Sequence, residues 1–245
     1  MFSNHSFTGG FFNSNTLSMK RSEINHLLSE AVAFFGKHRF HLPPFAAWTP
    51  SHWAAQTGVA QALVSANLGW DITDFGSGDF ARQGLVLFTL RNGIAATKAH
   101  IAKDYAEKIM MVRENQCTPT HFHHVKMEDI INRGGGGLVV QLWNSGDRNE
   151  LSPAPVHVEV DGLVQEIPAG GWVELGPGSS VTLPPRLYHQ FWGKPGHGPV
   201  LVGEVSRVND DHTDNYFYQP VGRFPVIEED EPPLLWLSSD YAKLG

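Results

Sequence analysis

Residues 121–135 read HFHHVKMEDIINRGG, and this stretch decides the fold. In an extended strand alternate residues share a face, so His121 and His123 point to the same side. Glu128 has the opposite parity and joins that face only if a turn or a bulge intervenes. A short turn would bring Glu128 beside the two imidazoles from the next strand. Two imidazoles and a carboxylate are a normal partial ligand set for a divalent transition metal, which needs at least one further ligand.

The best candidate for that ligand lies in residues 178–189, GSSVTLPPRLYH. His189 follows a glycine-led strand and a Pro-Pro turn that redirects the chain. A single histidine is more often a structural hydrogen-bonding residue than a ligand, and an HxH pair alone is weak evidence. The joint spacing strengthens the interpretation. After the HxH pair come Glu128 and then Gly135, while in the second stretch a glycine, a proline and His189 follow at similar intervals.

This spacing resembles the two sequence motifs of the cupin superfamily. The first motif matches fully. The second departs from the usual pattern, because Arg186 stands where a glycine is usual and Gly193 stands where an asparagine is common. The resemblance implies a jelly-roll β-barrel with a metal bound inside it, and the implied ligands are His121, His123, Glu128 and His189.

The composition also favours a β-rich fold. Of 245 residues, 41% are hydrophobic, and 25 glycines and 16 prolines provide for many turns. From residue 84 onward short β-like runs alternate with turn residues, and VHVEV and LVQEI, joined by Asp161 and Gly162, predict a hairpin. We expect an extension over residues 1–18 and one domain over residues 19–245, an all-β-dominated cupin barrel with an N-terminal helical region.

Three other segments carry structural predictions. Apolar residues at helical spacing predict a helix within residues 19–36, with Ser22 as its N-cap and Gly36 as its stop. Residues 40–56 are rich in proline and tryptophan, which indicates an ordered loop that either roofs a pocket or packs against the barrel. The four glycines at 134–137 lack phosphate-loop spacing and predict a turn with positive φ.

Charge and cysteine content exclude several classes of partner. The formal net charge is −7 and no dense basic cluster occurs, which argues against a nucleic-acid partner and against an anionic membrane surface. The one cysteine, Cys117, cannot form an intramolecular disulfide; it fits a reducing compartment and is interpreted as a packing residue. Residues 1–18 do not resemble a secretory signal, so a cytoplasmic location is expected.

A closer resemblance covers most of the chain from Met19 onward. Its strings are MKRSEIN, HFHHVKMEDIINRGGG, LVGEVSRVNDDHTDNYFY and VGRFPVIEEDE. Together they resemble the D-lyxose isomerase family of cupins. The resemblance implies reversible aldose–ketose isomerisation, of D-lyxose to D-xylulose and often of D-mannose to D-fructose. It also implies manganese or another divalent ion such as Zn²⁺, Fe²⁺ or Co²⁺, and a homodimer, as in some members.

Isomerising an aldose requires moving a proton from C2 to C1. Four protein ligands on an octahedral ion leave two positions for a bidentate sugar, which favours manganese or iron over a closed tetrahedral zinc. A general base must lie nearby without being a ligand. Glu204 is our choice because it lies mid-strand between apolar neighbours, where burial is expected to raise its pKa. The alternative is an ion pair with Arg207 or a strand-edge surface position, and the family resemblance favours the base.

Three further residues are candidates for contacts with the sugar. Lys126, between the predicted ligands, could reach a sugar oxygen or could be a surface lysine, and the two interpretations are balanced. Asp214 and Arg223 are the candidates for binding distal hydroxyls; the alternative is that they anchor the closing segment. Anchoring is favoured for Arg223, and both interpretations remain open for Asp214.

Two other functions use the same cupin ligands. An iron-dependent dioxygenase would need oxygen as co-substrate and would consume it. A non-catalytic sugar-binding cupin would need no base, so Glu204 would be dispensable. A sugar-phosphate isomerase would require a cluster of basic or hydroxyl side chains for the phosphate, and the sequence shows no convincing one.

Overall fold

The computed structural model describes residues 18–93, 103–208, 210, 213–222 and 225–244. Residues 1–17 of the expected extension and the candidate Arg223 lie outside the described residues. The α-helices are α1 (Arg21–Lys37), α2 (Pro50–Ala55) and α3 (Thr57–Ser65). The strands are β1 (Ser18–Lys20), β2 (Gly69–Thr73), β3 (Leu85–Arg91), β4 (Tyr105–Val112), β5 (His121–His123), β6 (Glu128–Gly135), β7 (Leu138–Asn144), β8 (Val156–Val160), β9 (Leu163–Ile167), β10 (Trp172–Leu175), β11 (Ser180–Leu183), β12 (Leu187–Gly193), β13 (Val200–Arg207), β14 (Asn215–Phe217) and β15 (Val226–Glu228). The expected β-dominated architecture with an N-terminal helical region is confirmed.

Two large antiparallel sheets form the body of the molecule. One contains five strands in the order β10-β7-β12-β5-β14, and the other contains eight in the order β2-β3-β4-β13-β6-β11-β8-β9. A small parallel pair, β1 with β15, joins the two ends of the described chain. No helix in the described part of the chain is long and apolar enough to cross a membrane.

The central part of the eight-stranded sheet is buried on both faces, as β4 shows, whereas β9 at its edge is exposed. Ile109 and Met111 pack in one apolar cluster with α1, whereas Met110 and Val112 pack in a second cluster with residues of the five-stranded sheet. Because side chains alternate along a strand, this parity points Lys108 toward the interior with Met110. The strand therefore contributes a charged group to the space between the sheets.

The predicted N-terminal helix exists, but its boundaries differ from the prediction. The helix begins at Arg21, so Ser22 lies inside its first turn and is not the N-cap. Asp230 satisfies this end instead, because its carboxylate accepts hydrogen bonds from the Ser22 amide at 2.9 Å and the Ser22 hydroxyl at 2.7 Å. Gly36 is helical, and Arg39, with a φ of 56°, turns the chain away after the helix. A residue distant in sequence thus supplies the cap.

Two turn predictions are confirmed. Strands β8 and β9 form the predicted hairpin, with Asp161 and Gly162 both at positive φ, as a two-residue turn requires. Gly134 and Gly135 also have positive φ, at the end of β6. A Cβ atom at Gly135 would lie 2.3 Å from the carbonyl oxygen of Pro199, so the glycine permits a close approach of two backbone segments.

Residues 40–56 pack against the protein and do not roof the cavity. Part of this segment is helical, including α2, which the sequence interpretation missed. The Trp53 ring lies 5.1 Å from that of Trp48 and 6.2 Å from that of Trp236, measured between centroids. Of the described residues, none in 40–56 lines the main cavity. The aromatic-packing alternative is therefore the correct one.

A buried arginine fastens the start of α1 to the C-terminal segment. Arg21 is fully buried and donates to both Glu229 and Asp240, at distances of 2.8 to 3.0 Å. Hydrogen bonds from Arg21 hold the pKa of Glu229 near 2, against an ordinary 4.5. A lowered native pKa contributes stability above pH 4.5, and this contribution is lost as the pH falls toward 2.

We therefore expect Glu229→Gln to lower the free energy of unfolding at pH 6 and to have a diminishing effect toward pH 3. The effect at pH 6 should be about 1 kcal/mol, because the Glu229 side chain is 46% exposed and solvent screens the ion pair. Urea unfolding across this pH range measures it. Glu228→Gln, at an exposed neighbour, is the matched control. A Glu229→Gln effect that stays constant with pH would contradict the prediction.

Candidate active site

A cavity of about 330 Å³ lies between the two sheets. The three histidines proposed from the sequence line it, together with Lys126, Glu128 and Glu204. Leu85, Met110, Ile130 and Phe191 contribute apolar wall, and Phe75, Phe217 and Val221 are also among the lining residues. The cavity therefore combines a cluster of ionisable groups with walls that are partly apolar.

The three histidines converge because two strands of the five-stranded sheet are neighbours. His121 and His123 lie on β5 with the same parity, and His189 is the direct antiparallel partner of His121 on β12. The His121 and His189 rings lie 4.2 Å apart between centroids. One nitrogen from each of the three rings lies within 4.8 Å of the others. This is a group that can hold a divalent metal ion.

Glu128 reaches the same group through the turn expected from parity. It is the first residue of β6, and its Oε1 lies 3.3 Å from His123 Nε2 and 3.1 Å from His189 Nε2. Its other oxygen, Oε2, lies 2.6 Å from Lys126 Nζ. The carboxylate thus faces the imidazoles with one oxygen and a lysine with the other.

The arrangement of these side chains fits a metal ion, because lone pairs on His189 Nε2 and Glu128 Oε1 face each other with no hydrogen atom between them. Carbonyl oxygens of Pro119 and Leu187 accept from Nδ1 of His121 and His189, which leaves the lone pair on Nε2. His189 Nε2 is buried without a hydrogen-bond partner, although Glu128 Oε1 is 3.1 Å away, since both atoms are acceptors. Ligands on an octahedral ion at about 2.2 Å would be about 3.1 Å apart.

The imidazoles of His121 and His123 do not take up protons readily, because the pKa of each is lowered. Burial lowers the pKa of His121 well below its ordinary value, and the neighbouring His189 and His123 lower it further. Burial likewise lowers the pKa of His123, against the opposing effect of Glu128. Both rings are therefore neutral at pH 7, which is the form that binds a metal.

Arg186 adopts the turn that a glycine usually makes in the second motif. Its φ is 64°, in the left-handed region, and its amide donates to the carbonyl of His123 at 2.8 Å. The guanidinium donates to Gly146 O and Asn149 Oδ1, both at 3.0 Å, and lies over the Phe122 ring. These contacts offset the strain of a side chain at positive φ, so the departure from the motif leaves His189 in place.

A second charged group stands beside the first. Glu204, on β13, is buried, and its Oε1 lies 3.0 Å from Lys126 Nζ and 3.2 Å from Lys108 Nζ. The Ser206 hydroxyl donates to the same oxygen at 3.0 Å. Neither alternative for Glu204, an Arg207 ion pair or a surface position, is observed. Lys126 is 3% exposed and bridges Glu128 and Glu204, so it is not a surface lysine.

The pKa of Glu204 is lowered, whereas the sequence analysis predicted that it would be raised. Burial does raise it, as expected, but Lys108 and Lys126 outweigh burial, and the net pKa is below the ordinary value. Burial lowers the pKa of Lys126, but Glu128 and Glu204 outweigh it and the net pKa is raised. At neutral pH Glu128 and Glu204 are therefore ionised and Lys126 is a cation. Because Glu204 carries no proton, it can accept one from a substrate.

The structure favours the anchoring interpretation of Asp214. Its carboxylate accepts the backbone amides of Val125 at 2.7 Å and Lys126 at 3.0 Å, and its carbonyl accepts the amide of His124 at 2.9 Å. Asp214 does not contribute to the cavity lining. It holds the turn between β5 and β6, and this turn aims Lys126 at the two carboxylates.

Lys108 is a cavity residue that the sequence interpretation missed, as it also missed Asp71 and Asn215. It pairs directly with Glu204 across β4 and β13 and lines the cavity. A signal was present, because Lys108 interrupts the apolar run of YAEKIMMV much as Glu204 interrupts LVGEV. Two opposite charges that each interrupt a buried strand indicate a pair.

Comparison with known proteins agrees with the geometry. The model of the D-lyxose isomerase family matches residues 19–241. A D-lyxose/D-mannose isomerase of Escherichia coli O157:H7 is 50% identical over 224 residues, which are 91% of this chain and 98% of that relative. One from Serratia proteamaculans is 51% identical over 226 residues, 92% of this chain and 99% of the relative.

Solved structures show the same fold at low identity. An L-ribose isomerase of Acinetobacter sp. DL28, in complex with L-ribose, superposes with a TM-score of 0.57 at 16% identity, over 88% of this chain and 100% of that one. The Cellulomonas parahominis L-ribose isomerase with L-ribose gives a TM-score of 0.55 at 19% identity, over 87% and 100%. These likenesses confirm the expected cupin barrel.

Proposed function

The chain belongs to the D-lyxose isomerase family, and on that premise we propose that it interconverts D-lyxose with D-xylulose and D-mannose with D-fructose. The activity class, an aldose–ketose isomerase, follows from family membership. The names of the relatives support the two aldoses, D-lyxose and D-mannose. The proposal extends to this chain's own residues, which supply both a metal-binding group and a separate base within one cavity.

The observation that carries the proposal is the position of Glu204. It is buried beside the histidine group but does not approach the imidazoles as Glu128 does; its contacts are with Lys108, Lys126 and Ser206. A non-catalytic sugar-binding cupin needs no base, so Glu204 would be dispensable for its function. An isomerase requires it, because a proton must leave C2 and return to C1.

We assign the proton transfer to Glu204. Its ionised carboxylate takes the C2 proton from one face of the sugar and becomes a carboxylic acid. A proton passes from the C2 hydroxyl to O1 of the cis-enediolate, and the carboxylic acid then returns its proton to C1 on the same face, which leaves a carbonyl at C2. Lys126 and Lys108 hold this carboxylate in position, and Lys126 also holds Glu128. The Lys126 ammonium can in addition donate a hydrogen bond to a sugar oxygen as negative charge develops there.

We assign the metal group to His121, His123, Glu128 and His189. The short distances from Glu128 to two of the imidazoles support its assignment as the fourth ligand. When bound, a divalent ion supplies Lewis acidity toward the sugar oxygens. Manganese is our choice because a nitrogen and oxygen donor set without thiolate suits it, with Fe²⁺, Co²⁺ or Zn²⁺ as the alternatives.

The remaining assignments extend the same proposal. We assign residues 19–245 to a single isomerase domain preceded by an extension over residues 1–18, which the pairing of β1 with β15 supports by joining both ends of the described chain. A homodimer follows from the family resemblance. A cytoplasmic location fits the lone Cys117, whose pKa burial raises to about 11, so that it is an inert thiol. Arg223 stays a candidate for binding distal hydroxyls.

An aldose panel tests the activity directly. The purified protein, stripped of metal and then supplied with Mn²⁺, is incubated with D-lyxose, D-mannose, L-ribose and D-xylose, and ketose formation is measured. We expect turnover of D-lyxose and D-mannose above the other two, and only with metal. Turnover that consumes dioxygen would indicate the dioxygenase function instead.

Isotope transfer tests the route of the proton. A base that holds the substrate proton can exchange it with water, so turnover in D₂O should place deuterium at C1 of the ketose. Substrate deuterated at C2 should lose part of its label and show a primary isotope effect if proton abstraction limits the rate. Complete retention of the C2 label, with none gained from D₂O, would favour a hydride shift and would contradict the role of Glu204.

A further inference from the structure

A small side chamber adjoins the main cavity, and none of the three histidines lines it. It has a volume of about 60 Å³ and shares Asp71, Leu87 and Lys108 with the main cavity. Thr89 and Ser238 are among the residues that line only the chamber. Thr89 is the cross-strand partner of Lys108, so the chamber begins one strand beyond the Lys108–Glu204 pair.

Three charged side chains of the main cavity form a line that leads toward this chamber, and the polar Asn215 lies off this line, beside His123 in the other sheet. Lys126 contacts Glu204 at 3.0 Å, Glu204 contacts Lys108 at 3.2 Å, and Lys108 with Asp71 stands where the cavity and the chamber meet. Much of the remaining wall is apolar, contributed by residues Leu85, Met110, Ile130 and Phe191. The hydroxyls of Thr73 and Thr118 already accept backbone amides.

A sugar in its open form must find partners for the hydroxyls beyond C2. Buried hydroxyls without hydrogen bonds are costly, so the carbon chain should follow the polar line and avoid the apolar walls. With C1 and C2 beside the histidine group and Glu204, the distal carbons then pass Lys108. The last carbon of the longer substrate points toward Asp71 and the chamber.

D-Mannose repeats the configuration of D-lyxose at C2, C3 and C4 and adds one carbon, so the two substrates differ by one hydroxymethyl group. We propose that the side chamber is the subsite for this C6 hydroxymethyl group, and that Thr89 and Ser238 determine how well the hexose is used relative to the pentose. The inference rests on the proposed isomerase function. A cavity needs only about 10–15 Å³ to hold a water molecule, so 60 Å³ admits a group of two heavy atoms.

A matched pair of serine variants tests the subsite. Ser238→Leu fills the chamber, whereas Ser239→Leu makes the same change at the next residue, which is exposed and does not line the chamber. For Ser238→Leu we expect the ratio of kcat/KM for D-mannose to that for D-lyxose to fall about tenfold or more, since a filled pocket rejects the longer substrate. Ser239→Leu should keep the wild-type ratio.

Thr89→Val provides a milder test that keeps the shape of the side chain. Removing one neutral hydrogen-bonding group should lower the same ratio about two- to tenfold. Binding of the unreactive alditols measures the effect without turnover. In calorimetry, Ser238→Leu and Thr89→Val should weaken the binding of D-mannitol, the reduced form of D-mannose, more than the binding of D-arabitol, the reduced form of D-lyxose.

The outcomes separate the two levels of the proposal. Equal losses for both sugars, or an unchanged ratio in both chamber variants, would overturn the subsite while leaving the isomerase assignment intact. Wild-type protein that turns over D-lyxose but not D-mannose would also overturn it. Wild-type protein that isomerises neither sugar would instead contradict the proposed function.

Discussion

Glu204→Gln should lower kcat by about 10² to 10⁴ while the metal content stays at the wild-type level. An amide keeps the shape of the carboxylate but cannot accept the C2 proton, and the loss of a general base has this magnitude. Metal content should survive because the contacts of Glu204 are with Lys108, Lys126 and Ser206, whereas Glu128 is the carboxylate that faces the imidazoles. Steady-state kinetics with D-lyxose and metal analysis of the same preparation measure both.

The controls for this variant address its charge. Replacing Glu204 leaves one negative charge fewer between two buried lysines, so the free energy of unfolding must be measured alongside the rate. Glu159→Gln makes the same chemical change at an exposed position on β8 and should keep the wild-type rate. A loss of less than about tenfold in a folded, metal-loaded Glu204→Gln protein would show that the base is elsewhere.

Removal of the metal should abolish isomerisation, and Mn²⁺ should restore it. Lewis acidity contributes several kcal/mol to such a reaction, so the expected loss is about 10³-fold or more. The metal should also stabilise the fold, by about 2.7 kcal/mol when the free ion is at 100 times its dissociation constant. Turnover and the thermal midpoint, each measured before and after addition of Mn²⁺, check the two effects.

His189→Ala tests whether metal binding depends on the histidine group. Because His189 supplies one of the three converging imidazoles, the alanine variant should bind less metal and should not regain activity with Mn²⁺. His157→Ala removes an exposed histidine on β8 and serves as the matched control. Full metal content and activity in the His189→Ala protein would show that His189 has been wrongly assigned as a ligand.

The sequence alone determined those features that depend on residues close together in the chain. The parity of His121 and His123, the turn before Glu128 and the hairpin at Asp161 and Gly162 all follow from strand alternation and turn chemistry, which act locally. The spacing of the two motifs then led to the cupin resemblance and to His189. The structure pairs His189 with His121, as the two motifs together imply, and for this reason the fold could be predicted from the sequence.

Only the tertiary structure decided which charges meet across the sheet. Lys108, Glu204 and Lys126 come from different parts of the chain, and their contacts depend on the order β4-β13-β6 and on its register. No local pattern sets that order, because it results from packing the two sheets and α1 together. For this reason the burial of Glu204 could be predicted from the sequence, but the predicted direction of its pKa shift was wrong, because neighbouring lysines control that shift. The same long-range packing placed Asp214 under the turn and Asp230 at the start of α1.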